Sequence, residues 1–287
     1  MASSKSSVVA GWELALRLRE RREELNIEVR TITGELGFSR NYWSAVENER
    51  KVLTDENLVK IIELFGFNSA EGRELHDLSM AAREHHWAAD YAELLDSRLQ
   101  RLYGIEDSAD SVRIYESILV PGLLQTPEYA HAIMAPAVVL RKVEVDQRID
   151  VRQRRQERLT GQKPLRLTAV ISEAVLRQQI GGPAVLHQQL THLIELTEAH
   201  PDTIEIRVVP FTAKSCGLFG SATVYIYEFD NPRLPTTAWQ ETVTTWGFIA
   251  DPSEIRNLST TFDAALTSTL SASHSVELIH RIRQELA

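Results

Sequence analysis

Apolar residues recur three and four positions apart through the first quarter of the chain and alternate with polar ones in much of the second half. The first spacing is that of helices with one buried stripe, the second that of strands. Leu14, Leu18 and Leu25 predict a helix over 11–25, and Ile32 and Leu36 another over 28–36. Gly37 follows, a residue that ends helices in the left-handed conformation. Ser39 is a good N-cap for a third helix over 39–48, and Thr54 for a fourth carrying Leu58, Ile61, Ile62 and Phe65, closed by Gly66. Residues 71–103 are polar and helical in pattern, with Leu75, Leu78, Leu94, Leu95, Leu99 and Leu102 as intermittent apolar positions.

From about residue 105 the period changes. Strands are predicted over 112–117, 165–172, 203–209, 219–229 and 236–242, interleaved with helices over 143–160, 173–179, 183–200, 253–270 and 272–286. Thr126 and Pro127 cap a further helix start. The expected fold is multidomain: a disordered tail 1–10, an all-α helix-turn-helix domain 11–68, a helical connector 69–104 that pairs with its copy in a dimer, and an α/β domain 105–287 with a mostly parallel or mixed sheet.

The short helix over 39–48 has an unusual wheel. Trp43 and Val46 point to one side, while Asn41, Ser44, Ala45 and Asn48 point to the other and Arg40 flanks its amino end. A solvent-facing helix more often carries Glu and Lys pairs. Small and amide side chains suit entry into a groove, where Asn pairs with adenine, Arg with guanine, and Ser or Ala allow close approach. The alternative is an ordinary surface helix pair joined by a glycine turn.

Charge complicates that picture. The net charge is −9, and residues 1–83 carry 12 Lys and Arg against 14 Asp and Glu. Non-specific affinity for DNA should be weak, since it depends on basic residues displacing counterions. Arg40, Arg50 and Lys51 nevertheless cluster around the helix, so a local field opposes the global one. The arginines of the first helix, 17, 19, 21 and 22, read as a solvated face interlaced with Glu20, Glu23 and Glu24, Arg22 excepted.

No apolar run approaches the ~20 residues needed to span a bilayer, and the Ser-rich start is not a secretory signal. With Cys216 the lone cysteine, no internal disulfide forms, and the cytoplasm is the expected location.

The segments Leu18–Arg22, Leu36–Ser39 and Ser44–Asn48 resemble the Cro and phage-repressor (XRE) helix-turn-helix family. The resemblance implies that Arg40, Asn41, Ser44 and Ala45 face base edges, that Asn48, Arg50 and Lys51 face phosphate, and that Arg22 and Glu47 form a buried pair. Two positions depart from the family: Val29 replaces a polar cap of the first motif helix, and Glu49 replaces a glycine. From about Arg101 onward, the Ile118–Ala130 segment, the arginine series from Arg148 to Leu159 and Ile171–Leu176 are similar to an uncharacterised domain that follows the reader domain in many actinobacterial regulators. That similarity implies a transcriptional regulator of development or secondary metabolism, often paired with a small acidic protein.

The carboxyl-terminal half shows no chemical constellation. Cys216 has no visible activating base, His187 and His192 are five apart rather than four, and the glycine pairs lack the spacing of a phosphate or dinucleotide turn. His85 and His86, being neighbours on a helix, point in different directions and read as no metal site. No enzyme, metal or cofactor is expected. Arg148, Arg152 and Arg155 share one side of their helix and read either as an anion or acidic-partner face or, more plainly, as a salt-bridged exposed face. Trp239 and Trp246, with the 216–219 loop, are candidate walls of a small-effector pocket. A homodimer is expected, because one recognition helix gives limited specificity and two copies read half-sites about one turn apart.

Overall fold

A computed structural model describes residues 6–136, 141–242 and 244–286. The chain divides after Ser108 into two compact units.

The first unit is helical: α1 (Ser7–Glu24), α2 (Val29–Leu36), α3 (Arg40–Glu47), α4 (Asp55–Leu64), α5 (Ser69–Ala81), a short tight helix over Trp87–Tyr91, and α6 (Ser97–Ser108). The predicted caps are present. Gly37 has φ +68°, Ser39 Oγ accepts the Tyr42 amide, and Thr54 Oγ1 accepts the Asn57 amide. One core holds Leu14, Leu18, Ile32, Trp43, Val46, Leu58, Ile61 and Phe65.

Two expectations for this unit change. Leu75 and Leu78 of α5 belong to the same core as the recognition helix, so 69–81 is part of the reader's fold rather than a free connector. The stretch from 82 to 96 then breaks the helical run before α6. The tail expected over 1–10 is ordered from residue 6, with residues 1–5 outside the described residues. Val9 and Ala10 are fully buried, Ser6 caps α1, and the Ser6 amide donates to Ser108 Oγ at 2.8 Å. Two buried apolar residues and the bonds of Ser6 to Val9, Gly104 and Ser108 anchor a segment whose serine-rich composition reads as disordered.

The second unit is built on one six-stranded mixed sheet in the order β3-β2-β1-β4-β5-β6. Its strands are β1 (Ser111–Glu116), β2 (Arg166–Ser172), β3 (Ile204–Val209), β4 (Thr223–Glu228), β5 (Thr237–Glu241) and β6 (Trp246–Phe248). β1, β2 and β3 are parallel, and β4, β5 and β6 continue as an antiparallel meander. The parallel pairs need long crossovers. The β1–β2 crossover supplies α7 (Pro127–Met134) and α8 (Lys142–Thr160), and the β2–β3 crossover supplies α9 (Glu173–Arg177) and α10 (Pro183–Ala199). The chain closes with α11 (Pro252–Ala265) and α12 (Ala272–Glu285). β6 was not predicted, being three residues long with a central glycine.

Both sheet faces are buried. Tyr115, Val170, Val224, Ile226 and Ala238 pack with Ile255, Phe262 and Ala265 of α11. The register places Ile114, Ala169, Ile206, Tyr225 and Trp239 in a row on the opposite face. The outer edge of β3 is covered: Val208 N–H donates to Ser275 Oγ at 3.0 Å and its carbonyl accepts the Leu270 amide. Covering an edge removes a template for unwanted strand pairing.

Candidate nucleic-acid interface

The recognition helix α3 is held from behind by α1. Trp43 and Val46 are buried against the core, and Trp43 meets the Phe65 ring edge-on at 6.1 Å. Glu47 is the tether. Its carboxylate accepts from Arg22 Nε at 2.5 Å and its carbonyl accepts from Arg19. Arg21 donates to the Phe65 and Gly66 carbonyls at the end of α4, and Arg17, only 8% exposed, pairs with Glu74. These arginines are therefore not a solvated face. Arg19 and Arg21 satisfy carbonyls at the ends of α3 and α4, where a cation also meets the negative end of the helix dipole, while Arg17 and Arg22 pair with the carboxylates of Glu74 and Glu47.

With one side fixed, the other is presented. Arg40 and Asn41 in the first turn are exposed, as are Asn48, Arg50 and Lys51, while Ser44 and Ala45 are half-buried between them. Among the described residues, Arg40 carries no ion pair. Asn48 Nδ2 donates to the Ser44 carbonyl at 2.7 Å and to Ser44 Oγ at 3.3 Å, so its amide is folded onto its own helix. The Lys51 ammonium lies 5.4 Å from the centre of the Tyr42 ring, which in turn packs on Phe38 at 4.9 Å. A cation within about 6 Å of a ring face is attracted to it. Tyr42 thus holds a predicted phosphate contact in place.

The turn after α3 is a Schellman motif. Glu49 N–H donates to the Val46 carbonyl and Arg50 N–H to the Ala45 carbonyl, with Glu49 at φ +61°. The same motif follows α1 at Asn26, φ +52°, and α4 at Gly66, φ +62°. Asn and Gly suit that conformation; Glu does not.

His85 and His86 engage different acids. His86 Nε2 and Trp87 Nε1 both bond Asp107, at 2.8 and 2.6 Å, while His85 pairs with Asp90.

In the second unit the candidate residues are placed differently from expectation. Arg148, Arg152 and Arg155 do not form an exposed face, Arg148 and Arg152 being half-buried and Arg155 buried. Arg155 is 7% exposed, and Arg152 donates to Gln125 Oε1. Both guanidinium groups lie 3.6 Å from where a Cβ on Gly122 would sit, so that glycine leaves the room they occupy. The reason is spacing: Val145, Arg148, Arg152, Arg155 and Leu159 form one stripe of α8, and both apolar ends of the stripe are buried.

The effector pocket drawn around the 216–219 loop, Trp239 and Trp246 is not assembled. Trp239 is fully buried, with its ring edge-on to Phe248 at 5.1 Å and its Nε1 donating to Glu241 at 3.2 Å. Trp246 is partly exposed on the same sheet face. Cys216 and Leu218 belong to the α11 core on the other face. The loop packs on the side of the sheet opposite to the one Trp239 faces, so the sheet itself stands between them.

The register instead brings Glu116, Thr223 and Glu241 together at the carboxyl end of β1, a cluster that sequence reasoning missed. Burial pushes the Glu116 carboxyl up to about 7. The Thr223 hydroxyl, which donates to Glu116 Oε2 at 2.9 Å, opposes the rise; the Glu241 carboxylate adds to it and Arg152 again opposes it. Strand ends of this kind are where open α/β sheets bind ligands.

Geometry alone defines a two-part protein, a helix-turn-helix unit followed by an α/β domain whose apolar core carries a buried polar cluster at the end of β1. Residues 16–75 match the model of a helix-turn-helix domain, here of the XRE type, whose members bind DNA in transcription regulation. Residues 99–281 match the model of a domain of unknown function (DUF5753), and the chain belongs to that family. No curated protein and no solved structure matches the chain. No helix among the described residues is long and apolar enough to cross a membrane.

Proposed function

We propose that the protein is a sequence-specific transcription regulator that inserts α3 into the major groove of double-stranded DNA. One observation carries this reading: Arg40 and Asn41 stand exposed in the first turn of a helix whose opposite side is locked into the core by Trp43, Val46 and Glu47. The amino end of such a helix is the part that reaches base edges. In this reading Arg40, Asn41, Ser44 and Ala45 contact bases, and Asn48, Arg50 and Lys51 contact phosphate. The protein acts in the cytoplasm as a homodimer, so that two recognition helices read paired half-sites.

The second domain serves regulation rather than catalysis, by binding a small effector or a protein partner such as a small acidic protein. Cys216, the only thiol, is 8% exposed within an apolar core, which does not suit a nucleophile that must meet substrate. An effector would act by linkage, shifting the DNA-competent population by its difference in affinity for two states. The test is to incubate the full chain with genomic fragments and sequence what is retained. Enrichment of a common motif with paired half-sites supports the reading, and retention without sequence preference overturns it.

A further inference from the structure

Glu49 occupies the left-handed position of its turn, at φ +61°, where its Cβ is crowded and glycine is favoured for having none. Its carboxylate also sits one residue before Arg50 and two before Lys51, where a negative charge opposes binding to phosphate. Both features are answered by a residue of α6. Arg101 Nε and Nη2 donate to the two Glu49 carboxylate oxygens at 3.0 and 3.1 Å, a fork-to-fork pair. The two side chains are 33% and 21% exposed, so the pair is only partly screened. The Arg101 guanidinium is itself seated 5.8 Å from the centre of the Trp12 ring, on α1. Trp12 is nearly buried, which makes that seat rigid.

We propose that Arg101 is a positioning residue for DNA binding. Through Glu49 it holds the turn that carries Arg50 and Lys51 and neutralises the carboxylate beside them. This inference rests on the DNA-binding reading above. Arg101 lies outside the stretch matching the helix-turn-helix model and inside the stretch matching the second family. The residue that steadies the reader's phosphate-facing turn therefore comes from the segment that leads directly into β1, and any change that draws α6 away from Glu49 would weaken DNA binding.

The test uses the full chain and a fragment retained from the genomic pool. Arg101→Ala should weaken binding about tenfold, the loss of one charge-assisted pair, and more at low salt than at high. Adding Glu49→Gly should restore affinity to within a few-fold, because glycine makes the turn without a partner and removes the carboxylate. If Arg101 only packed α6 on α1, a glycine at position 49 would restore nothing. Hydrogen exchange reads the positioning without DNA: the Arg50 and Lys51 amides, both bonded to the Ala45 carbonyl, should exchange faster in Arg101→Ala. Should Arg101→Ala unfold, Arg101→Lys keeps the charge but not the fork and should show a smaller loss in both measurements. Wild-type affinity in the Arg101 variants, or no recovery in the double variant, overturns the proposal. If wild type retains no fragment, the DNA reading fails, and unchanged exchange at Arg50 and Lys51 would then overturn the positioning as well.

Discussion

Glu47 Oε1 lies 2.5 Å from Arg22 Nε, joining the last turn of the recognition helix to the helix behind it, with the two side chains 12% and 17% exposed. Neither charge is well solvated, and although Arg22 also donates to Glu23 and to the Ile27 carbonyl, Glu47 is the more buried of its two acids. Glu47→Ala should lower the unfolding free energy of the helical unit by about 2 kcal/mol, measured by urea denaturation. Replacing both residues together, Arg22→Met with Glu47→Leu, should recover most of that loss, because removing a desolvated pair costs far less than orphaning one member.

Base and phosphate contacts differ in how their loss appears. Arg40→Ala and Asn41→Ala should each weaken binding to a selected site by about 1 to 3 kcal/mol and relax preference at one base position. Lys51→Ala should weaken all sequences alike and reduce the slope of log K against log salt by about 1. Asn48→Ala should cost less than Asn41→Ala, since the Asn48 amide already bonds Ser44. Binding isotherms on single-base variants at several salt concentrations separate these outcomes.

Glu116 gives the second domain a pH dependence. A carboxyl raised on folding from 4.5 to about 7 binds its proton more tightly in the folded chain. Between those values the folded state holds more protons than the unfolded one, so stability falls as pH rises through that window and levels off above it. The ceiling on this effect is about 3 kcal/mol at roughly 1.4 kcal/mol per unit. Glu116→Gln should flatten the slope, matching wild type near pH 5 and exceeding it at pH 8. Denaturation midpoints at the two pH values check this, and an unchanged slope would place the dependence elsewhere.

A methyl group added at Gly104 would overlap Val8, on the first turn of α1. Gly104→Ala should therefore cost about 1 to 3 kcal/mol by overpacking and raise hydrogen exchange over 6–10. Val8→Gly, which also removes the Cβ that the added methyl would meet, should relieve the overlap where Val8→Ala relieves it only in part, and this distinguishes crowding from a loss of backbone freedom.

Much of the reader domain was legible because its signals are local. Ser39, Thr54 and the glycines at 37 and 66 act within four residues of themselves, and the apolar stripes of α2, α3 and α4 need only the period of a helix. The side of α3 turned from the core followed from the same period. Strands β1 to β5 were visible for the equivalent reason, with β6 too short to give a period.

What the chain order could not decide was which partner each charged or aromatic side chain finds. The arginines of α1 read as surface until the ends of α3 and α4 arrive beside them. Arg152 and Arg155 read as an exposed row although Val145 and Leu159, on the same stripe, marked it as inward. Trp239 and the 216–219 loop read as walls of one pocket, but folding packs Cys216 and Leu218 against α11 on the face of the sheet that Trp239 does not occupy. Position 49 stood out as a residue where glycine is usual, yet only folding brings Arg101 to it across 52 residues. Periodicity and caps are written in neighbouring residues; ion pairs, sheet faces and buried carboxylates depend on closures between distant segments, and those the tertiary structure alone decided.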